Sequence, residues 1–156
     1  MGLDMYLSQK RRGTKSVEDV AYWRKANHIH QWFVENVQGG VDDCKEYYAS
    51  RKQLKKLLDT VNAVLQASRL VPGKVTNGYR LTKIGTKLVE TPIVEDGRRI
   101  ADPSVARALL PTQEGFFFGG RDYDEGYYTD LEHTRDVLTN ALAQKDEVRF
   151  YYQSSW

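Results

Sequence analysis

The chain has 156 residues, 40% hydrophobic and 28% charged, which fits one folded domain with its own core and excludes a disordered polymer. A formal net charge of +2 excludes the strongly basic balance of a nucleic-acid binder, although Lys10-Arg11-Arg12, Lys52 with Lys55-Lys56, and Arg98-Arg99 form local clusters. The single cysteine, Cys44, excludes an internal disulfide and a cysteine-built zinc site, and it points to a reducing compartment.

Leu3, Met5 and Leu7 alternate with Asp4, Tyr6 and Ser8, the period-two pattern of a half-buried first strand. Met1 to Leu7 is too short and too acidic for a signal peptide. Gly2 suits N-myristoylation, but Tyr6 stands where that motif wants Ser or Thr. No apolar run has the length to span a bilayer, so a cytoplasmic protein is expected. After a basic loop from Lys10 to Lys15, Ser16 reads as a helix N-cap with Glu18 and Asp19 in the first turn. The first helix is expected from Val17 to Val37, ending at Gly39-Gly40. Its core stripe is Tyr22, Ala26, Ile29, Phe33 and Val37. Trp23, Asn27, His30 and Val34 run beside it at the same spacing.

Val41 to Ala49 reads as a short acidic and aromatic connection. Ser50 with Gln53 is a capping-box pattern, so a second helix begins near Arg51, with Leu54, Leu57, Leu58, Val61, Val64 and Leu65 inward. From residue 70 to 109 the chain changes character: Pro72-Gly73, Asn77-Gly78, Gly85, Pro92 and Asp96-Gly97 punctuate it. Asn77-Gly78 and Asp96-Gly97 are hairpin-turn dipeptides, which predicts a protruding, hairpin-rich insertion within a single domain of residues 1–156. Three rings, Phe116 to Phe118, between Gly115 and Gly119-Gly120 predict a short buried strand and a flexible turn. A third helix is expected over Glu125 to Ala143 and a last strand over Glu147 to Gln153. The fold class is therefore α+β: a small, mainly antiparallel sheet packed by about three helices, with both terminal strands in it.

His28-Ile29-His30 looks like a metal-ligand pair, but in a helix the two rings sit about 200° apart and cannot meet one ion. His30 lies beside the core stripe, and His28 is expected to point away, near Arg24, Gln31 and Glu35. Asp122, Asp124 and Glu125 make a weak metal cluster, and helix N-capping explains Asp124 and Glu125. There is no Gly-x-Ser-x-Gly, no cysteine with a nearby base and no phosphate-binding glycine loop, so no metal, cofactor or nucleophile is expected.

Gly2-Leu3-Asp4-Met5-Tyr6-Leu7, Tyr22-Trp23-Arg24-Lys25-Ala26-Asn27 with Ile29-His30 and Trp32-Phe33-Val34, and Leu110-Pro111-Thr112 with Gly115 to Gly119 resemble segments of small tailed-phage proteins of no settled activity. The resemblance covers both ends and misses residues 70–109. It implies a phage-encoded protein in a bacterial cytoplasm, and by association a counter-defence factor. The expected function is capture, without chemistry, of a nucleotide-derived small molecule such as an immune signal. Trp23, Trp32 and Tyr123 would stack a base, Asn27 and His30 would bond its edge, and Arg24, Lys25 and Arg121 would hold phosphates. Two alternatives stand beside it: a nucleotide hydrolase using His30 or His133 as acid–base, and a protein that covers a host protein surface. Ten tyrosines and a protruding hairpin also suggest a homo-oligomer.

Overall fold

The structure is a computed structural model and describes residues 2–115 and 118–156. Ten elements follow in chain order: β1 (Asp4–Arg11), β2 (Val17–Arg24), α1 (Asn27–Asn36), β3 (Tyr47–Ala49), α2 (Arg51–Gln66), β4 (Leu70–Ile84), β5 (Lys87–Ile100), α3 (Ser104–Leu109), α4 (Glu125–Leu142) and β6 (Val148–Ser155). The class is α+β. An antiparallel sheet of order β2-β1-β6-β3 carries the body, and β4-β5 form a separate two-stranded ribbon.

The period-two pattern of the first strand is realised. Leu3, Met5 and Leu7 are fully buried while Tyr6 is exposed. β6 repeats the alternation, burying Val148, Phe150, Tyr152 and Ser154. The two terminal strands pair, with Met5 opposite Ser154 and Leu7 opposite Tyr152. One face of the sheet therefore carries the core, and the helices cover it. α1 seats on β6 through Phe33 and Tyr152, whose rings stack with centroids 3.9 Å apart.

The helix expected over Val17–Val37 is the main correction. Val17–Arg24 is a strand, with Ala21 and Trp23 buried and Tyr22 exposed. Its β-branched and aromatic residues find a partner in β1, where Met5 faces Trp23. Ser16 therefore caps nothing, and Glu18 and Asp19 are strand residues. Lys25 makes the break, with φ at 57°, a left-handed conformation that non-glycine residues seldom adopt. Only the later part of the helical stripe, Ala26, Ile29 and Phe33, lies in the core.

Further differences follow from short elements. Tyr47–Ala49 is a three-residue strand on β6, too brief to show a period. The capping box of Ser50 and Gln53 is present at α2. Residues 70–100 form one long hairpin, turning at Gly85-Thr86 rather than at Asn77-Gly78 or Asp96-Gly97. Asn77-Gly78 sits at a β-bulge, where its tolerance of positive φ is used inside a strand, and Asp96-Gly97 lies within β5. α3 was not expected; Ala106 and Leu110 tie it to the core. The strand expected around Phe116 falls partly on Phe116 and Phe117, outside the described residues; Gly115 and Phe118 to Gly120 are not strand. α4 begins where Asp124 accepts a hydrogen bond from the Tyr127 amide, as its capping pattern predicts. Among the described residues no helix is long and apolar enough to cross a membrane.

The strain at Lys25 is testable. Lys25→Gly should raise stability by about 0.5–1 kcal/mol in urea unfolding, because glycine adopts positive φ without steric conflict. A loss of stability would mean that side-chain packing at Lys25 outweighs its backbone strain.

Candidate functional site

The chain between α3 and α4, residues 110–124, is a wall that borders at least four clefts. Among its described residues it contains no strand longer than a single bridge, and side chains hold it. Asn27, the first residue of α1, is only 2% exposed and spans the gap. Its amide nitrogen donates to the carbonyls of Phe118 (3.0 Å) and Gly120 (2.8 Å), and its oxygen accepts from the Gln113 amide at 2.8 Å. Thr112 adds a bond from its hydroxyl to the Arg121 carbonyl at 2.8 Å. Gly119 passes so close to Lys25 that a Cβ there would lie 2.8 Å from the lysine Cβ, so this approach requires glycine.

The largest of these clefts, about 460 Å³, lies between the root of the hairpin, α3 and this wall. Lys74, Arg99, Arg107 and Arg121 line it, with Asp122 as its carboxylate. Lys74 is paired with Asp96 at 2.5 Å, and Arg121 with Glu114 at 2.9 Å and Glu90 at 3.7 Å. None of the ion pairs among the described residues involves Arg99 or Arg107. The Arg107 guanidinium lies over the Tyr123 ring, 5.6 Å from its centroid. Arg121 sits over Tyr79 at 4.6 Å. A cleft of about 410 Å³ runs on from here past the hairpin bulge to Lys25, Gly119 and Gly120.

A smaller cleft, about 290 Å³, opens between α1 and the start of α4. Asp122, Asp124, Asp130, His28 and Tyr127 line it, and so do Arg24 and Lys25. His28 is 2% exposed, its ring lies 4.2 Å from that of Tyr127, and its Nε2 has no hydrogen-bond partner among the described residues. Asp130 Oδ2 is 4.0 Å from that nitrogen. Burial pushes the His28 pKa down to about 3, so the ring is neutral at pH 7. Burial, then the charge of Asp124, pushes the Asp130 carboxyl up to about 7. The His28 ring is thus neutral beside Asp130, so the contact is not a salt bridge. Burial also raises the Asp124 carboxyl.

The eight residues expected to bind ligand divide. Arg24, Lys25 and Asn27 line the smaller cleft, Lys25 and Arg121 the connecting one, and Arg121 and Tyr123 the largest. Trp23 lies in the core, 2% exposed, and its indole donates to the Thr134 hydroxyl at 2.9 Å. Because Trp23 belongs to a strand, it does not share a face with Asn27 and His30. His30, 1% exposed, is satisfied between the Tyr152 hydroxyl (2.7 Å) and Asp42 (2.9 Å). Trp32, 6% exposed, packs edge-on against Phe33. These three have no open face toward a ligand. His28, expected to point outward, is instead the buried histidine that meets a cleft. Asp130, Lys74, Arg99 and Arg107 had no signal beyond the Arg98-Arg99 cluster, because the fold brings them together from distant segments. Among the described residues no three His, Cys, Asp or Glu side chains gather to hold a metal ion. Comparison with known protein families, curated proteins and solved structures finds no match to this chain.

The raised Asp130 carboxyl fixes a sign. The folded state keeps its proton up to about pH 7, whereas the unfolded chain releases it near ~4, so Asp130 removes stability as pH rises between those values. Asp130 is 32% exposed, which reduces the effect. Asp130→Asn should therefore match the parent near pH 4.5 and be more stable by roughly 1–3 kcal/mol at pH 8. Parallel melting curves across that range check it; equal melting at pH 8 would show that Asp130 ionises freely.

Proposed function

We propose that this protein binds an anionic, nucleotide-derived small molecule in the cleft at the root of the β4–β5 hairpin and holds it without chemistry. The observation that carries the reading is the lining of the largest cleft: four cations against one carboxylate, with the Tyr123 ring beside them. Arg99 and Arg107 are exposed and lack a carboxylate partner among the described residues, so their donors are available to phosphate oxygens. A volume of about 460 Å³ suits a small ligand rather than a polymer. The hydrolase alternative has less support, because neither His30 nor His133 lines these clefts, and the His133 ring nitrogen is bonded to the Tyr22 carbonyl at 2.9 Å. In an infected bacterium, a phage-encoded protein of this kind would withdraw a nucleotide signal from the host. The reading keeps the homo-oligomer, supported by exposed Leu81, Ile84 and Leu88 near the hairpin tip.

Calorimetric titration with ADP and ribose 5-phosphate tests the cleft. Arg99→Ala and Arg107→Ala should each weaken binding by roughly ten-fold, about 1.4 kcal/mol, with little change in melting temperature. Gly73→Ala should weaken it too without removing a charge, since a Cβ there would lie 2.9 Å from Arg99 Nε and displace that side chain. Unchanged affinity in the Arg99→Ala, Arg107→Ala double variant would overturn the reading. Incubation with a panel of cyclic nucleotides, then re-extraction, separates the alternatives. Intact recovered ligand supports capture, altered ligand the hydrolase, and no depletion the protein-covering role.

A further inference from the structure

The smaller cleft carries a polar group with no internal explanation. His28 is 2% exposed and its Nε2 has no partner among the described residues, which a folded protein seldom tolerates, since a buried polar atom without a hydrogen bond destabilises the fold. Asp130 Oδ2 stands 4.0 Å away, too far for a direct bond and well placed for a group that hydrogen-bonds to both. The His28 and Tyr127 rings, 4.2 Å apart, supply an aromatic wall. Arg24 and Lys25 bring cations to the lining, and two further carboxylates, Asp122 and Asp124, join Asp130 there. Both already serve the backbone, Asp122 accepting from the Thr76 amide at 2.7 Å and Asp124 from the Tyr127 amide at 3.0 Å. That leaves the Asp130 carboxyl, beside His28 Nε2, as the carboxyl of this cleft without a committed hydrogen bond among the described residues.

We propose that the smaller cleft seats the amino-bearing edge of a nucleobase, with Asp130 accepting from the exocyclic amine and His28 Nε2 bonding the adjacent ring position. This deepens the nucleotide reading and rests on it. Arg24 and Lys25 also line this cleft, so its charge is mixed, and it is the Asp130 carboxyl beside His28 Nε2, rather than a net negative charge, that complements an N–H-bearing base edge. The two clefts adjoin, since Asp122 lines both. A ligand with an amino base at one end and phosphate at the other would set the base beside Asp130 and the phosphate beside Arg99 and Arg107. Adenine, cytosine and guanine carry an exocyclic amine and uracil does not, so the pocket discriminates between them. A site that hydrogen-bonds one substrate group rejects the analogue lacking it, because its own polar atoms are then left unpaired.

Titration of the full chain with AMP, CMP, GMP, UMP, adenosine and ribose 5-phosphate is the test. At least one amino-bearing nucleotide should bind five-fold or more tightly than UMP and ribose 5-phosphate. Asp130→Ala, which removes the acceptor, should erase that preference, with ribose 5-phosphate as the control for the basic cleft. His28→Gln, which keeps a polar side chain, should reduce it as well. In ¹⁵N-histidine spectra, the preferred nucleotide should shift the His28 ring nitrogens, and UMP should not. Equal binding of all four nucleotides, a preference that survives Asp130→Ala, an unmoved His28 signal, or no binding at all would each overturn the proposal. Adenosine separates the two readings. If adenosine binds through Asp130 while ribose 5-phosphate does not bind, the phosphate cleft fails and the base pocket stands. If ribose 5-phosphate binds and no base is preferred, the base pocket fails alone.

Discussion

The carboxamide of Asn27 is the interaction on which the clefts depend. All three of its hydrogen bonds go to the backbone of Gln113, Phe118 and Gly120, none of which belongs to a ladder or a helix. A loop is ordered only against a loss of backbone entropy, so its few fixed points matter. Asn27 can act as one because its own position is over-determined. The β1–β2 ladder fixes Arg24, the Lys25 amide donates to the Leu3 carbonyl at 2.7 Å, and the Asn27 amide turns back to the Lys25 carbonyl at 2.9 Å. Ala26, Ile29 and Phe33 then bury the helix that follows. The strained turn at Lys25 thus joins two jobs: it ends a strand and aims the first residue of a helix at a loop.

The hairpin completes the site from the other side. Its root is bonded to the same loop: the Ile100 amide donates to the Tyr123 carbonyl at 2.9 Å, and the Thr76 amide donates to Asp122 at 2.7 Å. Arg98 pairs with Glu125 at 3.1 Å beside them. These contacts set Lys74 and Arg99 opposite Arg107 and Arg121. The two clefts differ in charge. The cleft on the hairpin side is basic, and the cleft on the α1–α4 side holds three carboxyl groups together with Arg24 and Lys25, with Asp122 lining both. Burial of His28 and Asp130 in the mixed cleft favours their neutral forms, so the pocket presents hydrogen-bonding groups more than net charge at neutral pH.

Much of the body was legible because single residues carry the pattern. Leu3, Met5 and Leu7 alternate without interruption, Ser50 and Gln53 form a capping box, and Asp124 stands before a helical stripe. Each rests on local physics that the tertiary structure does not override. Val17–Arg24 was misread because Tyr22, Ala26, Ile29 and Phe33 keep helical spacing across a strand, a turn and a helix, and the break falls on a lysine rather than a glycine or proline. Asn77-Gly78 was misread because a bulge uses the same positive φ as a hairpin turn. The clefts were only partly legible. Arg24, Lys25, Asn27, Arg121 and Tyr123 come from segments dense in functional side chains. Arg99, Arg107, His28 and Asp130 meet through packing between segments far apart in the chain, which leaves no local spacing to read.

Hydrogen exchange at the Gln113 amide in parent and Asn27→Ala proteins tests whether Asn27 builds the clefts by pinning the loop. If it does, exchange at Gln113 is at least ten-fold faster in the variant, while the α4 amides around Leu138 keep their protection. Unchanged protection at Gln113, with a uniform loss across α4, would contradict it and return Asn27 to the role of an ordinary buried helix residue.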